Sequence, residues 1–241
     1  MSPEVNDIEQ LRSFQTALSP PQAPGCSFAT LDAGFAAASG SVGGDFHDHL
    51  ELDGSHQVAL VGDVTGHGLS SALVMAVTFG ALREAFRSMQ LPCAVMNGLH
   101  ALLAELGDRA GGPRLFSATL FLGVLASDGE FKFVNAGHPP GLVLRAEGGV
   151  ERLDASIPPL GFAEPTRCQS VASALRPGDR LVLYSDGILK QDERMAELIE
   201  RIDAHRELEG PAFVEALLAE GAADDRTALV LHFSGGACPE A

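Results

Sequence analysis

The apolar run Val58-Ala59-Leu60-Val61 closes on Gly62-Asp63, with Gly66-His67-Gly68 close behind. This junction constrains the fold more than any other feature of the chain. A carboxylate at the end of a buried strand is costly unless it is paired or bound to a cation. The residues just before hold a second acid of the same kind, Asp45, preceded by Gly43-Gly44. Asp53-Gly54 between the two is a turn signal. The whole stretch from Ser41 to Ala72 therefore reads as strand, turn, strand, and then a helix opening near Leu69. The first strand carries Asp45 and the second ends at Asp63. Neighbouring strands lie roughly 5 Å apart, so both carboxylates can converge on one cation. Oxygen-only donors suit a hard ion, Mg²⁺ or Mn²⁺. The glycines let backbone and substrate approach it closely.

Two more acidic sites follow the same design. Leu181-Val182-Leu183-Tyr184 leads to Ser185-Asp186-Gly187, and Asp224-Asp225-Arg226-Thr227 leads into Ala228-Leu229-Val230-Leu231. Taken alone, an Asp-Gly pair is a plain turn. Four acidic sites at strand rims are different, because carboxylates that converge repel one another and need a cation.

The remaining segments say how such strands are assembled. Pro3 to Leu18 spaces Val5, Ile8, Leu11, Phe14 and Leu18 along one helical face, and the Pro-rich residues from Ser19 to Gly25 break it. Phe28 to Ala38 reads as extended. Leu69 to Phe86 reads as a helix apolar on most sides, hence buried or covered by a partner. Pro92 opens a second helix with a leucine face. Further strands are expected at Ser117–Ala126, Glu130–Val134, Leu142–Arg145, Val150–Leu153, Cys168–Leu175, Arg180–Tyr184 and Thr227–Phe233. Two helices are expected at Glu193–Ile202 and Pro211–Glu220. Strands joined by short turns imply antiparallel sheets with helices on their outer faces. No shift in composition marks a linker, so residues 1–241 read as one domain, with a helix and linker over 1–25 and a flexible tail over 234–241.

Charge and cysteine usage exclude several classes. The net charge of −16 argues against nucleic acid and anionic membranes as partners. Cys26, Cys93, Cys168 and Cys238 form no CxxC, which argues against zinc and against a disulfide framework and favours a reducing compartment. No signal peptide and no apolar run of membrane-spanning length are read, so a cytoplasmic location is expected.

The blocks SVGGDFHD, VGDVTGHGLSSALVMA, FSATLFLGVL, FVNAGHPPGLVLR, PPLGF, LRPGDRLVLYSDGI and DDRTALVLHF occur in one order from about Phe14 to Phe233. This ordered set resembles the PPM-type metal-dependent serine/threonine phosphatases, in particular their bacterial SpoIIE/RsbU-like branch. The resemblance implies an α+β fold, an αββα sandwich of two antiparallel sheets between helical layers. It implies two divalent metal ions, Mn²⁺ or Mg²⁺. Their ligands would be Asp45, Asp63, Asp186 and Asp224 with the backbone carbonyl of Val64. Asp63 would bridge the two ions, and Asp225 would orient Asp224 or take its place. The implied reaction is hydrolysis of phosphoserine or phosphothreonine by a metal-activated water, with Asp45 and Asp63 as the catalytic pair. The usual substrate of the branch is a phosphorylated STAS-domain anti-sigma-factor antagonist in a partner-switching pathway. The alternative is a catalytically weak, phosphatase-like module that binds partners.

Three departures stand out. His47 replaces the aromatic residue common after GGDF, and reads as a surface or spacer position. No arginine precedes Asp45 to grip phosphate. Only about one helix precedes the catalytic blocks, so regulation is expected from a separate protein or from a homodimer contact at the Leu69–Phe86 and Cys93–Leu106 helices. His67 reads as a loop residue and His138 as a structural residue before Pro139-Pro140. Ser71 and Ser185 lack His-Asp partners for nucleophilic catalysis. Cys93 reads as a small buried residue.

Overall fold

In the computed structural model, alternation along the strands divides the apolar residues between layers. Residues 3–18, 28–37, 42–66, 68–88, 91–112, 114–162, 167–220 and 224–236 are described. Strand β3 (His56–Val64) sends Val58, Leu60 and Val64 to one core and Ala59 and Val61 to another. Strands β9 (Arg180–Tyr184) and β10 (Arg226–Phe233) divide in the same way. Leu181, Leu183, Leu229 and Leu231 join the second core, and Val182, Tyr184, Ala228 and Val230 enter a third. A strand with apolar side chains on both faces must be covered on both. Three cores between four layers is the result.

The other strands are β1 (Ala29–Ala36), β2 (Asp45–Glu51), β4 (Ala118–Ala126), β5 (Glu130–Ala136), β6 (Gly141–Leu144), β7 (Val150–Leu153) and β8 (Val171–Ala174). They form two five-stranded sheets, ordered β1-β10-β9-β6-β7 and β2-β3-β4-β5-β8, antiparallel throughout. The sheets stack through an aromatic core in which Phe121 and Phe133 lie ring to ring at 5.2 Å. Helices α2 (Leu69–Arg87) and α3 (Pro92–Ala110) cover the second sheet through Met75, Phe79, Leu82, Met96 and Leu103. Helices α4 (Met195–Ala204) and α5 (Gly210–Glu220) cover the first through Leu198, Ile202, Phe213 and Leu217. The expected αββα sandwich is the fold observed. Helix α1 (Pro3–Leu18) stands at the side where β1 and β2 form the sheet edges.

The element boundaries differ from expectation where side chains are committed elsewhere. Helix α4 starts at Met195, because the Glu193 carboxylate accepts the Lys190 N–H at 3.0 Å and the Arg201 guanidinium at 2.8 Å. Arg194 then caps the helix, with the Glu197 side chain accepting its N–H at 3.1 Å. Strand β8 starts at Val171, three residues after Cys168, which is bonded to Cys93 in the first turn of α3. The proposed linker over 19–25 and the tail beyond Gly236 lie outside the described residues.

That disulfide corrects the reading of the cysteines. Cys93 and Cys168 are 75 residues apart in sequence, with Cα atoms 5.5 Å apart. Spacing within short motifs carries no information about a pair brought together only by packing. The cross-link closes a long loop, so reduction or Cys93→Ala is expected to cost about 2–4 kcal/mol of unfolding free energy. A urea titration with and without dithiothreitol measures this, and an unmoved midpoint would contradict it. A second correction concerns α2, which is long and apolar enough to meet a membrane-span criterion by length and composition. Its inner face is committed to the core under the sheet, with Met75, Phe79 and Leu82 each at most 2% exposed.

Candidate active site

Pairing of β2 with β3 sets Asp45 directly opposite Asp63, and pairing of β3 with β4 sets Thr119 opposite Asp63 in turn. Directly opposed residues share a face of the sheet. The other sheet brings its acids to the same place. Asp186 lies in a short 3-10 turn just after β9, and Asp224 and Asp225 lie just before β10, the neighbour of β9. The five carboxylates line one cavity of about 390 Å³, together with Gly43, Gly44, Thr65 and Thr119. Among the described residues, none lining it is Lys or Arg.

Asp45 forms the floor at 4% exposed, while Asp186 and Asp224 lie exposed at the rim. Asp45 is held by hydroxyls: Thr227 Oγ1 donates to its Oδ2 at 2.8 Å, and Ser185 hydrogen-bonds it as well. Ser185 Oγ also accepts the Thr227 N–H at 2.9 Å, so the two anchors are locked to one another. The Asp225 N–H donates to Asp224 Oδ1 at 2.8 Å, which orients the rim carboxylate.

The glycines before Asp45 are required by space. A Cβ on Gly43 would fall 1.3 Å from Asp225 Oδ2, and one on Gly44 would fall 2.2 Å from the Val64 carbonyl and 2.7 Å from Asp63 Oδ1. Backbone thus passes within contact of the acids from both sheets.

The electrostatics are those of a crowded, partly dehydrated acid cluster. Burial, then repulsion by Asp186, Asp224 and Asp225, pushes Asp63 up to about 7. Burial and Asp63 hold Asp45 well above the usual carboxylate range, against the lowering effect of the Ser185 and Thr227 hydroxyls. Burial and Asp224 also raise Asp186. These groups are short of positive charge, which is the condition a hard cation relieves. Among the described residues no three acidic, His or Cys side chains are already drawn together as a closed metal cage. The donor set nevertheless fits such ions: oxygen only, drawn from both sheets, with a backbone carbonyl at Val64 alongside.

The residues singled out from sequence fall into four groups. Asp45, Asp63, Asp186 and Asp224 meet in the cavity together with Asp225, and Val64 lies against Gly44. His67 lies outside the described residues. His47 is corrected: it is 1% exposed and not a surface residue. Strand alternation puts it on the face of Asp45, a signal present in the sequence. His138 is buried, its Nδ1 2.8 Å from Thr119 Oγ1, and burial pushes it down to about 3, so it is neutral at physiological pH. Ser71 donates to the Gly68 carbonyl at 2.9 Å, a helix-start contact. The roles of Thr119 and Thr227 had no local signal beyond their position at strand rims.

Comparison with known proteins places this geometry. The family model described as Stage II sporulation protein E (SpoIIE) matches residues 53–234. The phosphoserine phosphatase RsbP of Bacillus subtilis is 30% identical over 152 residues, which is 63% of this chain and 38% of RsbP. Among solved structures, the RsbU and RsbW domains of a Mycobacterium tuberculosis protein superpose with a TM-score of 0.78 at 26% identity, covering 92% of this chain and 64% of that one. The PP2C phosphatase domain of SpoIIE from Bacillus subtilis, with a fragment of its regulatory domain, gives 0.74 at 21% identity, covering 86% and 64%. The phosphatase PstP, solved in complex with two manganese ions, gives 0.64 at 16%, covering 85% and 98%. The last two similarities concern the fold. The chain spans 38% and 32% of the lengths of the curated relatives RsbP and IcfG.

Proposed function

We infer the function from one premise: this chain belongs to the SpoIIE family of PP2C-type phosphatases. The reading is a metal-dependent protein phosphatase that hydrolyses phosphoserine or phosphothreonine on a partner protein. One observation carries it: five carboxylates line a single cavity, and none of the described residues lining it is Lys or Arg. Left as it is, that cavity repels a phosphate ester. Two divalent ions, Mn²⁺ or Mg²⁺, would supply an activated water there and neutralise phosphoryl charge. Asp45, Asp63, Asp186 and Asp224, with the Val64 carbonyl, are the groups we assign to hold them. Thr227 and Ser185 fix the orientation of Asp45, and the Asp225 N–H fixes that of Asp224. We therefore read Asp225 as the orienting member of the pair. The relative RsbP, named a phosphoserine phosphatase, and the manganese complex of PstP support this reading.

The test is turnover of p-nitrophenyl phosphate and of a phosphoserine peptide. Activity is expected with Mn²⁺, lost on adding EDTA, and restored by excess Mn²⁺. Full turnover in chelator overturns the metal reading, and no turnover under any metal overturns the enzyme reading.

The finer reading takes a phosphorylated STAS-domain anti-sigma-factor antagonist as substrate, on the strength of the SpoIIE/RsbU-like motifs. It also takes the α2–α3 pair as the contact for a regulatory protein or a second copy of the chain. Leu69, Leu73 and Val77, at successive turns of α2, are 54%, 56% and 47% exposed, an apolar stripe pointing away from the sheet. Contact there would act on Asp63 through residues 65–68, which join α2 to β3.

A further inference from the structure

We propose that Gln15 of α1 is a positioning residue that fixes the Gly43–Asp45 backbone and thereby sets the cation affinity of the acidic site. Gln15 is 4% exposed, whereas its neighbours Ser13, Phe14, Thr16 and Ala17 are all exposed. Its amide is spent on one short piece of backbone. Nε2 donates to the Asp45 carbonyl at 3.1 Å and to the Gly43 carbonyl at 3.4 Å, and Oε1 accepts the Gly43 N–H at 3.4 Å. A side-chain amide that both donates to and accepts from one residue imitates a neighbouring strand.

The geometry of β2 explains why such an imitation is needed there. β2 is an edge strand, paired with β3 on one side only. The Gly44 carbonyl points inward and accepts the Val64 N–H at 3.2 Å. Backbone groups alternate along a strand, so those of Gly43 and Asp45 point outward, to the open edge. Gln15 meets them there. Glycine has the widest conformational freedom of any residue. Gly43 and Gly44 have no side chains with which to anchor themselves, and the carboxylates around them leave no room for any. The position of Asp45 therefore depends on a clamp from outside the strand. Packing does not supply it: a cavity of about 360 Å³ lies beside Gln15, reaching Thr16, Phe35, His47, Val214 and Leu218. The amide, not close packing of α1, holds this side of the site.

The proposal rests on the metal reading above, and its test separates the two. Mn²⁺ binding is measured directly, by the loss of the free Mn²⁺ electron paramagnetic resonance signal, for the wild-type chain, Gln15→Met, Gln15→Glu and Phe14→Ala. Melting of the metal-free proteins is recorded in parallel. Met keeps the volume and loses all three hydrogen bonds, and Glu keeps the acceptor but cannot donate. Both are expected to weaken Mn²⁺ binding by about tenfold or more, the usual cost of removing a group that orients a ligand. Turnover is expected to recover at excess Mn²⁺ with KM for the phosphopeptide unchanged. Phe14→Ala, on the exposed side of the same helix, is expected to bind Mn²⁺ like the wild type. Unchanged Mn²⁺ affinity in either folded Gln15 variant overturns the proposal. So does equal weakening in Phe14→Ala, which would mean that α1 stabilises the fold without aiming Asp45. If the wild-type chain binds no Mn²⁺, the metal reading itself has failed. Should Gln15→Met not fold, Gln15→Glu decides by the same criteria.

Discussion

Replacing Asp63 with Asn is expected to remove at least about 10³-fold of the Mn²⁺-dependent turnover, roughly 4 kcal/mol of transition-state stabilisation. The same change is expected to make the metal-free protein more stable at neutral pH. Both effects follow from one position. Asp63 stands between Asp45 in its own sheet and the rim acids Asp186 and Asp224 from the other. Burial and those neighbours push it up to about 7. An unfolded chain returns it to the ordinary value near 4. The folded state therefore binds the proton more tightly, and stability falls as pH rises from about 4 to about 7 and stays lowered above that. The full penalty at pH 8 is on the order of 4 kcal/mol. Melting curves of the metal-free wild type across this range should slope downward, and Asp63→Asn should flatten the slope. Added Mn²⁺ should flatten it too. Asp186→Asn should act with the same sign and less strength, because Asp186 is exposed. If metal-free Asp63→Asn melts below the wild type at pH 8, the carboxylate is structural and the argument from repulsion fails.

The acids were legible in the sequence because each sits where a local pattern changes, from apolar alternation to glycine or turn. The Asp45–Asp63 pair follows from a hairpin whose turn, at Asp53-Gly54, is itself a local signal. Gly54 takes the positive φ of 72° that such a turn favours. What stayed hidden depends on contacts distant in the chain. β1 pairs with β10 across nearly the whole length, and no spacing rule joins Ala29 to Phe233. Cys93 and Cys168 meet only because α3 and the approach to β8 pack side by side. Gln15 lies 30 residues before the carbonyl it holds. His47 was a different kind of miss. Alternation along β2 sends Phe46 to the core under α2 and so puts His47 on the face of Asp45, a signal that the polar side chain of His47 masks.

Asp48 is the other buried acid on β2, on the face opposite Asp45, and it supports the largest prediction for a single ion pair. It is 1% exposed and takes two hydrogen bonds of 2.7 Å from Arg83 of α2. The Arg83 guanidinium also lies 5.1 Å above the Phe79 ring, and Phe79 meets Phe46 of β2 edge-on at 6.4 Å. Sheet edge and helix are thus joined by an ion pair, a cation–π contact and an aromatic pair within one helical turn. Arg83→Met keeps an apolar stem over Phe79 and removes the charge. Asp48 is then left buried with the His49 N–H, at 2.9 Å, as its remaining donor. Breaking a fully buried pair from one side costs about 3–5 kcal/mol. The Arg83 side chain is 37% exposed, which lowers the expected loss to about 2–4 kcal/mol. Urea denaturation of Arg83→Met, Asp48→Asn and the double variant measures the loss and the coupling between the two residues. Additive losses would mean that the pair contributes nothing as a pair. Mn²⁺ affinity in the same variants then tests the reading of α2 as a control element. Asp45 lies three residues before Asp48 on one strand, and α2 reaches Asp63 through residues 65–68. A loosened α2 should therefore weaken Mn²⁺ binding as well as stability. If stability falls and Mn²⁺ affinity does not move, α2 is core and nothing more, and a partner seated on Leu69, Leu73 and Val77 would have no route to the acids.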